Sequence, residues 1–273
     1  DEAAGYLSWG RALLRQGKYE EATAKFSQAL AQAQASKLQQ IEADSLRFLG
    51  VAAMESGKME TAVNDYTRAL SLYEQLEDRQ GESTALNNLG NLYQAMGDST
   101  TAQSFWERAQ RIYGEIGDRE GNGRILINLS ATYMDVGDYP TARAYSEQAL
   151  SICREIGVRF GECFALLNLG IIYHYLANNV SAEMYSRHAL QLAENMGVPP
   201  LQGNALMVLG HALTGQKNYV GAIEAYEHAL GIWQAMNQQM SMMEIEAGLA
   251  RVAMAKNEPT EALAHVNKIV AYL

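Results

Sequence analysis

One small residue recurs along this chain with a spacing of 40 residues and no drift. It follows an aromatic residue or a leucine in seven places: Trp9-Gly10, Leu49-Gly50, Leu89-Gly90, Leu129-Ser130, Leu169-Gly170, Leu209-Gly210 and Leu249-Ala250. Twelve residues further on stands an alanine each time: Ala22, Ala62, Ala102, Ala142, Ala182, Ala222 and Ala262. A fixed period of this size marks stacked supersecondary units, each burying its apolar face against its neighbours. The chain therefore reads as a solenoid, an architecture that binds ligands more often than it catalyses reactions.

The third repeat shows what one unit is. From Ser83 to Met96 the apolar positions Ala85, Leu86, Leu89, Leu92, Tyr93 and Met96 follow the i, i+3, i+4, i+7 spacing of an amphipathic helix. Gly97 suits a left-handed helix end, and Asp98 or Ser99 can cap the next start. From Thr100 to Ile116 the pattern resumes with Ala102, Phe105, Trp106, Ala109, Ile112, Tyr113 and Ile116, and Gly117-Asp118 closes it. Each unit is a helix A, a short turn and a helix B. The units run approximately over 1–38, 39–78, 79–118, 119–158, 159–198, 199–238 and 239–273, one all-α solenoid spanning 1–273.

Glycine inside a helix costs roughly 0.5–1 kcal/mol relative to alanine, so five at one phase call for an offsetting gain. The expected gain is close approach of helix B, with Ala22 and its equivalents on the facing ridge. A bulky residue at Gly90 or Ala142 should then overpack by roughly 1–3 kcal/mol. The A-to-B turns carry Gly17, Gly57, Gly97 and Gly137, then Ala177, Lys217 and Asn257, so the last three are less clearly glycine-type turns. Pro140 and Pro259 fit the first turn of helix B, and Pro199-Pro200 marks the sixth helix A.

Composition narrows the function. Apolar residues at 48% and charged residues at 19% exclude a disordered tail. A net charge of −10 repels phosphate backbones and anionic bilayers, so neither nucleic acid nor membrane is an expected partner. No apolar run approaches a membrane span and no signal peptide is visible. Cys153 and Cys163 form no CxxC motif and read as buried thiols in a reducing, cytoplasmic setting. The start at Asp1, already inside a repeat, suggests a fragment of a larger protein.

The phases Leu86, Leu89-Gly90, Tyr93, Ala102, Trp106 and Ala109 resemble the tetratricopeptide repeat (TPR). The fourth repeat matches through Leu126, Leu129, Tyr133, Ala142 and Ala149, but its helix-B aromatic, Tyr145, stands one residue early, with Ser146 in its place. The fifth shows the same shift with Tyr185 and Ser186. The 40-residue period resembles kinesin light chains, Pins-type adaptors and bacterial STAND-class regulators. Glu115-Ile116-Gly117-Asp118-Arg119 and Ala247–Ala253 look most like the last. The resemblance implies a right-handed superhelix whose concave face is lined by the A helices and holds a peptide.

In that geometry four phases of helix A face the groove. Asn88, Asn128 and Asn168 form a ladder at one phase, with Asn87 and Asn91 beside it. An amide both donates and accepts, so such a ladder would grip a peptide backbone of any sequence. Ile127, Leu167, Ile171 and Met207 would take its side chains, and His211 shares the phase of Asn91. Arg47, Arg124 and Arg251 could pair with acidic groups. The corresponding phases carry no lysine, which argues against a chaperone-tail carboxylate clamp. Tyr93, Tyr133 and Tyr173 read as core between repeats.

Nothing points to an enzyme. His174, His188, His211, His228 and His265 form no HExxH pair, and His188 and His228 read as solvent-facing. Gly121-Asn122-Gly123 lies at a helix turn, not after a strand, and Gly17-Lys18 and Gly57-Lys58 lack the Walker spacing. No cofactor or metal is expected.

The leading expectation is a non-catalytic scaffold or sensor of a bacterial signalling protein, holding a protein or peptide. A small-ligand sensor of the STAND type is the alternative, with Phe164, Tyr175 and His211 as candidate contacts. A structural spacer or self-assembly element is a third. Leu7, Leu13 and Leu14 at one end, and Ile269, Val270, Tyr272 and Leu273 at the other, suggest apolar ends that continue into further repeats or pair between chains.

Overall fold

The computed structural model describes residues 2–272, all the regular structure being α-helix among the described residues. The chain divides into two compact units, Asp1–Ile125 and Leu126–Leu273. The first contains α1 (Glu2–Arg15), α2 (Tyr19–Ala35), α3 (Gln39–Glu55), α4 (Met59–Gln75), α5 (Arg79–Ala95) and α6 (Ser99–Ile116). The division falls inside α7 (Arg119–Asp135). The second unit continues with α8 (Tyr139–Ile156), α9 (Arg159–Tyr175), α10 (Asn179–Met196), α11 (Pro199–Gly215), α12 (Tyr219–Ala235), α13 (Gln239–Ala255) and α14 (Pro259–Tyr272). Odd-numbered helices are the A helices and even-numbered ones the B helices.

Every A-to-B turn has a residue in the left-handed region. Gly17, Gly57, Gly97 and Gly137 hold it at φ between 73° and 82°. Ala177, Lys217 and Asn257 adopt the same turn at 57°, 61° and 64°. The turns lacking glycine are therefore the same turns, formed against the β-carbon penalty of about 1–2 kcal/mol that favours glycine there. Side-chain caps reinforce several starts: Asp98 accepts from the Thr101 amide at 3.0 Å and Asp138 from that of Thr141 at 3.2 Å.

At Gly10, Gly50, Gly90 and Gly210 the small residue of helix A has a different role from the one expected. A β-carbon at Gly10 would lie 2.5 Å from the Phe26 ring. At Gly50 it would lie 2.6 Å from Tyr66, at Gly90 2.3 Å from Trp106, and at Gly210 2.5 Å from Tyr226. The glycine is thus a notch for the aromatic ring sixteen residues on, and the alanine ridge, fully buried from Ala22 to Ala222, sits beside it. Where the aromatic is displaced, so is the notch. Ser130 donates to the Ala142 carbonyl at 2.9 Å and contacts the Ser146 hydroxyl at 2.6 Å, closing the hairpin with hydrogen bonds. At Gly170 the nearest atoms are Val208 Cγ1 at 3.0 Å and the Ser186 amide at 3.6 Å, with no ring inserted.

The displaced aromatics stack on the outward tyrosines. Tyr133 stacks on Tyr145 at 5.5 Å and Tyr173 on Tyr185 at 5.3 Å, while Tyr93 stacks on Phe105 at 5.5 Å. These tyrosines are half-buried partners within one hairpin, not core between repeats. A second notch joins successive hairpins: Tyr73 fills the space at Gly81, Tyr113 at Gly121 and Cys153 at Gly161. Both cysteines are buried, and burial pushes the Cys163 thiol up to about 11.

The ends also depart from expectation at one side. Leu7 and Leu13 are buried and Leu14 half-buried, so the large apolar side chain that α1 exposes is Trp9, with Lys25 over its ring at 4.0 Å. On α14 Leu263, Val266 and Val270 are exposed, Ile269 and Tyr272 half-buried, and Leu273 lies outside the described residues.

Candidate functional site

In the second unit three successive A helices meet around a cavity of about 300 Å³. From α9 it receives Ile171, His174 and Tyr175; from α11, Met207, Val208 and His211; from α13, Glu244, Ala247 and Arg251. All but His174 and Tyr175 stand at the four helix-A phases expected to face a ligand. The 40-residue period repeats those phases, and side chains one period apart on neighbouring A helices converge.

The polar part is built on His211. Its Nδ1 lies 2.7 Å from the Tyr226 hydroxyl and 3.3 Å from the Arg251 guanidinium. Guanidinium only donates, so Nδ1 is the acceptor, the tyrosine hydroxyl donates to it, and the ring proton sits on Nε2. Burial is the main cause that pushes His211 down from 6.5 to about 3, followed by the Arg251 charge and by His174. The ring is therefore a neutral donor at any physiological pH.

Aromatic groups continue from there. His174 stacks on His211 with centroids 5.6 Å apart, and its Nδ1 donates to Asn179 Oδ1 at 2.9 Å. Tyr175, 61% exposed, stacks on Tyr139 at 5.0 Å. Ile171, Met207, Val208 and Ala247 supply the apolar lining. The lining thus combines apolar side chains, aromatic rings, an exposed guanidinium and a neutral imidazole, the mixture typical of ligand sites.

The other expected residues are placed differently. Asn168 is buried and its amide donates to the Ile127 carbonyl at 3.3 Å, a helix-to-helix bond in the second unit. Leu167 is buried in the core, whereas Ile127 and Asn128 are half-buried. In the first unit Asn87 is only 4% exposed and its Oδ1 has no partner among the described residues, while Asn88 and Asn91 are half-buried. Arg47 lies over the Phe48 ring at 4.1 Å and donates to the Tyr73 hydroxyl at 3.3 Å, which itself donates to Asp44 at 2.6 Å. Arg124 is exposed and faces Glu120 at 3.8 Å, a contact worth little in solvent. Phe164 is exposed and does not line the cavity with Tyr175 and His211.

Glu244 shares the phase of Arg124 without having been singled out, whereas His174 was not legible as a site residue. His174 precedes His211 by 37 residues, one period less one helical turn, which places both rings on one face. That offset is the signal a period-aware reading could use. Among the described residues no group of three or more His, Cys, Asp and Glu side chains could hold a metal, and no helix is long and apolar enough to cross a membrane.

The family model of the tetratricopeptide repeat matches residues 1–75, 41–115, 81–155 and 122–195. The chain belongs to the tetratricopeptide repeat family. No curated protein matches it in sequence. Among solved structures it is similar to a signal transduction ATPase with numerous domains (STAND protein) with a tetratricopeptide repeat sensor from Pyrococcus horikoshii. The two are 18% identical with a TM-score of 0.83, over 99% of this chain and 42% of that one. It is also similar to the apo form of RapI, at 12% identity and TM-score 0.82 over 100% and 97% of the two chains. A Rap protein complexed with competence and sporulation factor follows at 14% identity and TM-score 0.67, over 99% and 97%. At these identities the likeness is one of fold. The chain spans less than half the length of the STAND protein.

Proposed function

We propose that this chain is a non-catalytic binding module, a scaffold or sensor that holds a protein or peptide segment against its A helices. The observation that carries the reading is the cavity of α9, α11 and α13. Three successive A helices present ligand-type side chains to one space. Ile171 and Met207 accept an apolar side chain of the segment, and the polar groups of His211 and Arg251 fix its orientation. The Rap protein complexed with competence and sporulation factor and the STAND sensor, which share the fold, agree with such a role in a signalling protein. A cytoplasmic bacterial setting fits that role.

The partly enclosed form of the cavity also favours a second reading, in which a small metabolite occupies it. Selection of a displayed random-peptide library on the wild-type chain and on Met207→Arg separates the two. Arginine at that position fills the apolar floor with a charged side chain. Peptides retained by the wild type and lost by the variant would support the peptide reading. A library that yields no binder for either, with both folded by circular dichroism, would refute it.

A further inference from the structure

We infer that the α9–α11–α13 cavity selects ligands by a single carboxylate group set beside an apolar one; this deepens the binding role proposed above and rests on it. Arg251 is exposed on the cavity wall and has no carboxylate within ion-pair distance among the described residues. It makes a 3.3 Å contact with His211 Nδ1, an acceptor already taken by the Tyr226 hydroxyl at 2.7 Å, and it also bonds that hydroxyl. Most of the guanidinium's five donors are thus available, in the fork geometry that suits a carboxylate.

The imidazole adds a second, fixed donor. With Nδ1 accepting from both Tyr226 and Arg251, the proton is held on Nε2, and Tyr226 locks the ring orientation from beneath. One permanent cation and one neutral N–H match a monoanion. Glu244, also on the wall and seven residues before Arg251 on α13, makes no ion pair among the described residues and stands as a negative charge in the site. It disfavours a dianionic phosphate group more than a monoanionic carboxylate, and the chain's charge of −10 acts in the same sense. The rest of the lining, Ile171, Met207, Val208 and Ala247, fixes the neighbouring ligand group as apolar.

The carboxylate could belong to a chain terminus or to an acidic side chain, and three acetylated dipeptides distinguish these. N-acetyl-Leu-Leu carries a terminal carboxylate, N-acetyl-Leu-Glu-amide a side-chain carboxylate, and N-acetyl-Leu-Leu-amide neither. Binding to the whole chain is followed by nitrogen-15 NMR of the His211 ring and the Arg251 Nε–H. At least one acid should shift both signals and bind about tenfold more tightly than the neutral amide, the value of one charge-assisted hydrogen bond. The preferred acid identifies the source. Arg251→Gln should remove that tenfold preference, whereas Glu244→Gln, which removes the repelling charge, should strengthen binding of the acid. Equal binding of acids and amide, or a preference that survives Arg251→Gln, would overturn the carboxylate assignment while leaving the cavity as a peptide site. No binding by any dipeptide would overturn it too, and the peptide-library selection would then decide separately whether the broader reading stands.

Discussion

His211 makes the stability of this chain depend on pH in a direction that can be worked out. In the folded chain its imidazole is pushed down from 6.5 to about 3, first by burial, then by the charge of Arg251 and by His174. Above 6.5 the ring is neutral in folded and unfolded chains alike, and its burial carries no proton penalty. As the pH falls through 6.5 the unfolded chain takes up a proton that the folded chain refuses until about 3. Stability is therefore lost across that window and levels off below it. At pH 5.0 the unfolded ring is 1.5 units below its titration point, so at about 1.4 kcal/mol per unit the loss is about 2 kcal/mol. The comparison is His211→Gln, which keeps an acceptor and a donor but does not titrate. Urea unfolding of both proteins at pH 7.5 and 5.0 should show the wild type losing about 2 kcal/mol more than the variant on acidification. The difference cancels the titrating groups that do not touch His211. Equal losses, or a His211 ring that titrates near 6.5 in NMR of the folded chain, would refute the burial argument.

Packing yields further tests. Gly90→Ala places a β-carbon 2.3 Å from Trp106 and should cost about 1–3 kcal/mol in thermal or urea unfolding, whereas Gly170→Ala, with no ring in its notch, should stay within about 1 kcal/mol of wild type. Lys217→Gly should stabilise by up to about 1 kcal/mol in the same assay, because the residue sits at φ 61°. Asn168→Ala should cost about 1 kcal/mol through the lost bond to the Ile127 carbonyl; a loss of ligand binding at unchanged stability would instead return this asparagine to the ligand. Glu246 is 1% exposed and held by His265 at 2.5 Å and Lys268 at 3.3 Å, so His265→Ala, which leaves the Lys268 contact, should destabilise the α13–α14 hairpin by about 1–3 kcal/mol, seen as faster hydrogen exchange there.

Much of the fold is legible in the order of the residues. Leu86, Leu89, Leu92 and Trp106 at helical spacing give the hairpin, and the 40-residue recurrence gives the stack. The site is legible only in part. Ile171, Met207 and His211 were readable as residues of one shared wall, which the cavity lining matches, because period and helical phase select one face of each A helix. Asn168 was misleading for the same reason, since phase puts it on that face but cannot say whether its amide meets a ligand or the Ile127 carbonyl.

The sequence by itself determined the repeat, the helical hairpin and the left-handed turns at Gly17, Gly57, Gly97 and Gly137. All of these are local, set by chain geometry over a few residues and copied at each period. The tertiary structure decided what each side chain meets. Only packing makes Gly90 a notch for Trp106, links Ser130 to Ser146, and brings His174, His211 and Arg251, from three different helices, around one cavity. Those contacts depend on how far a neighbouring helix approaches and which rotamer it leaves room for, and no spacing along the chain encodes either.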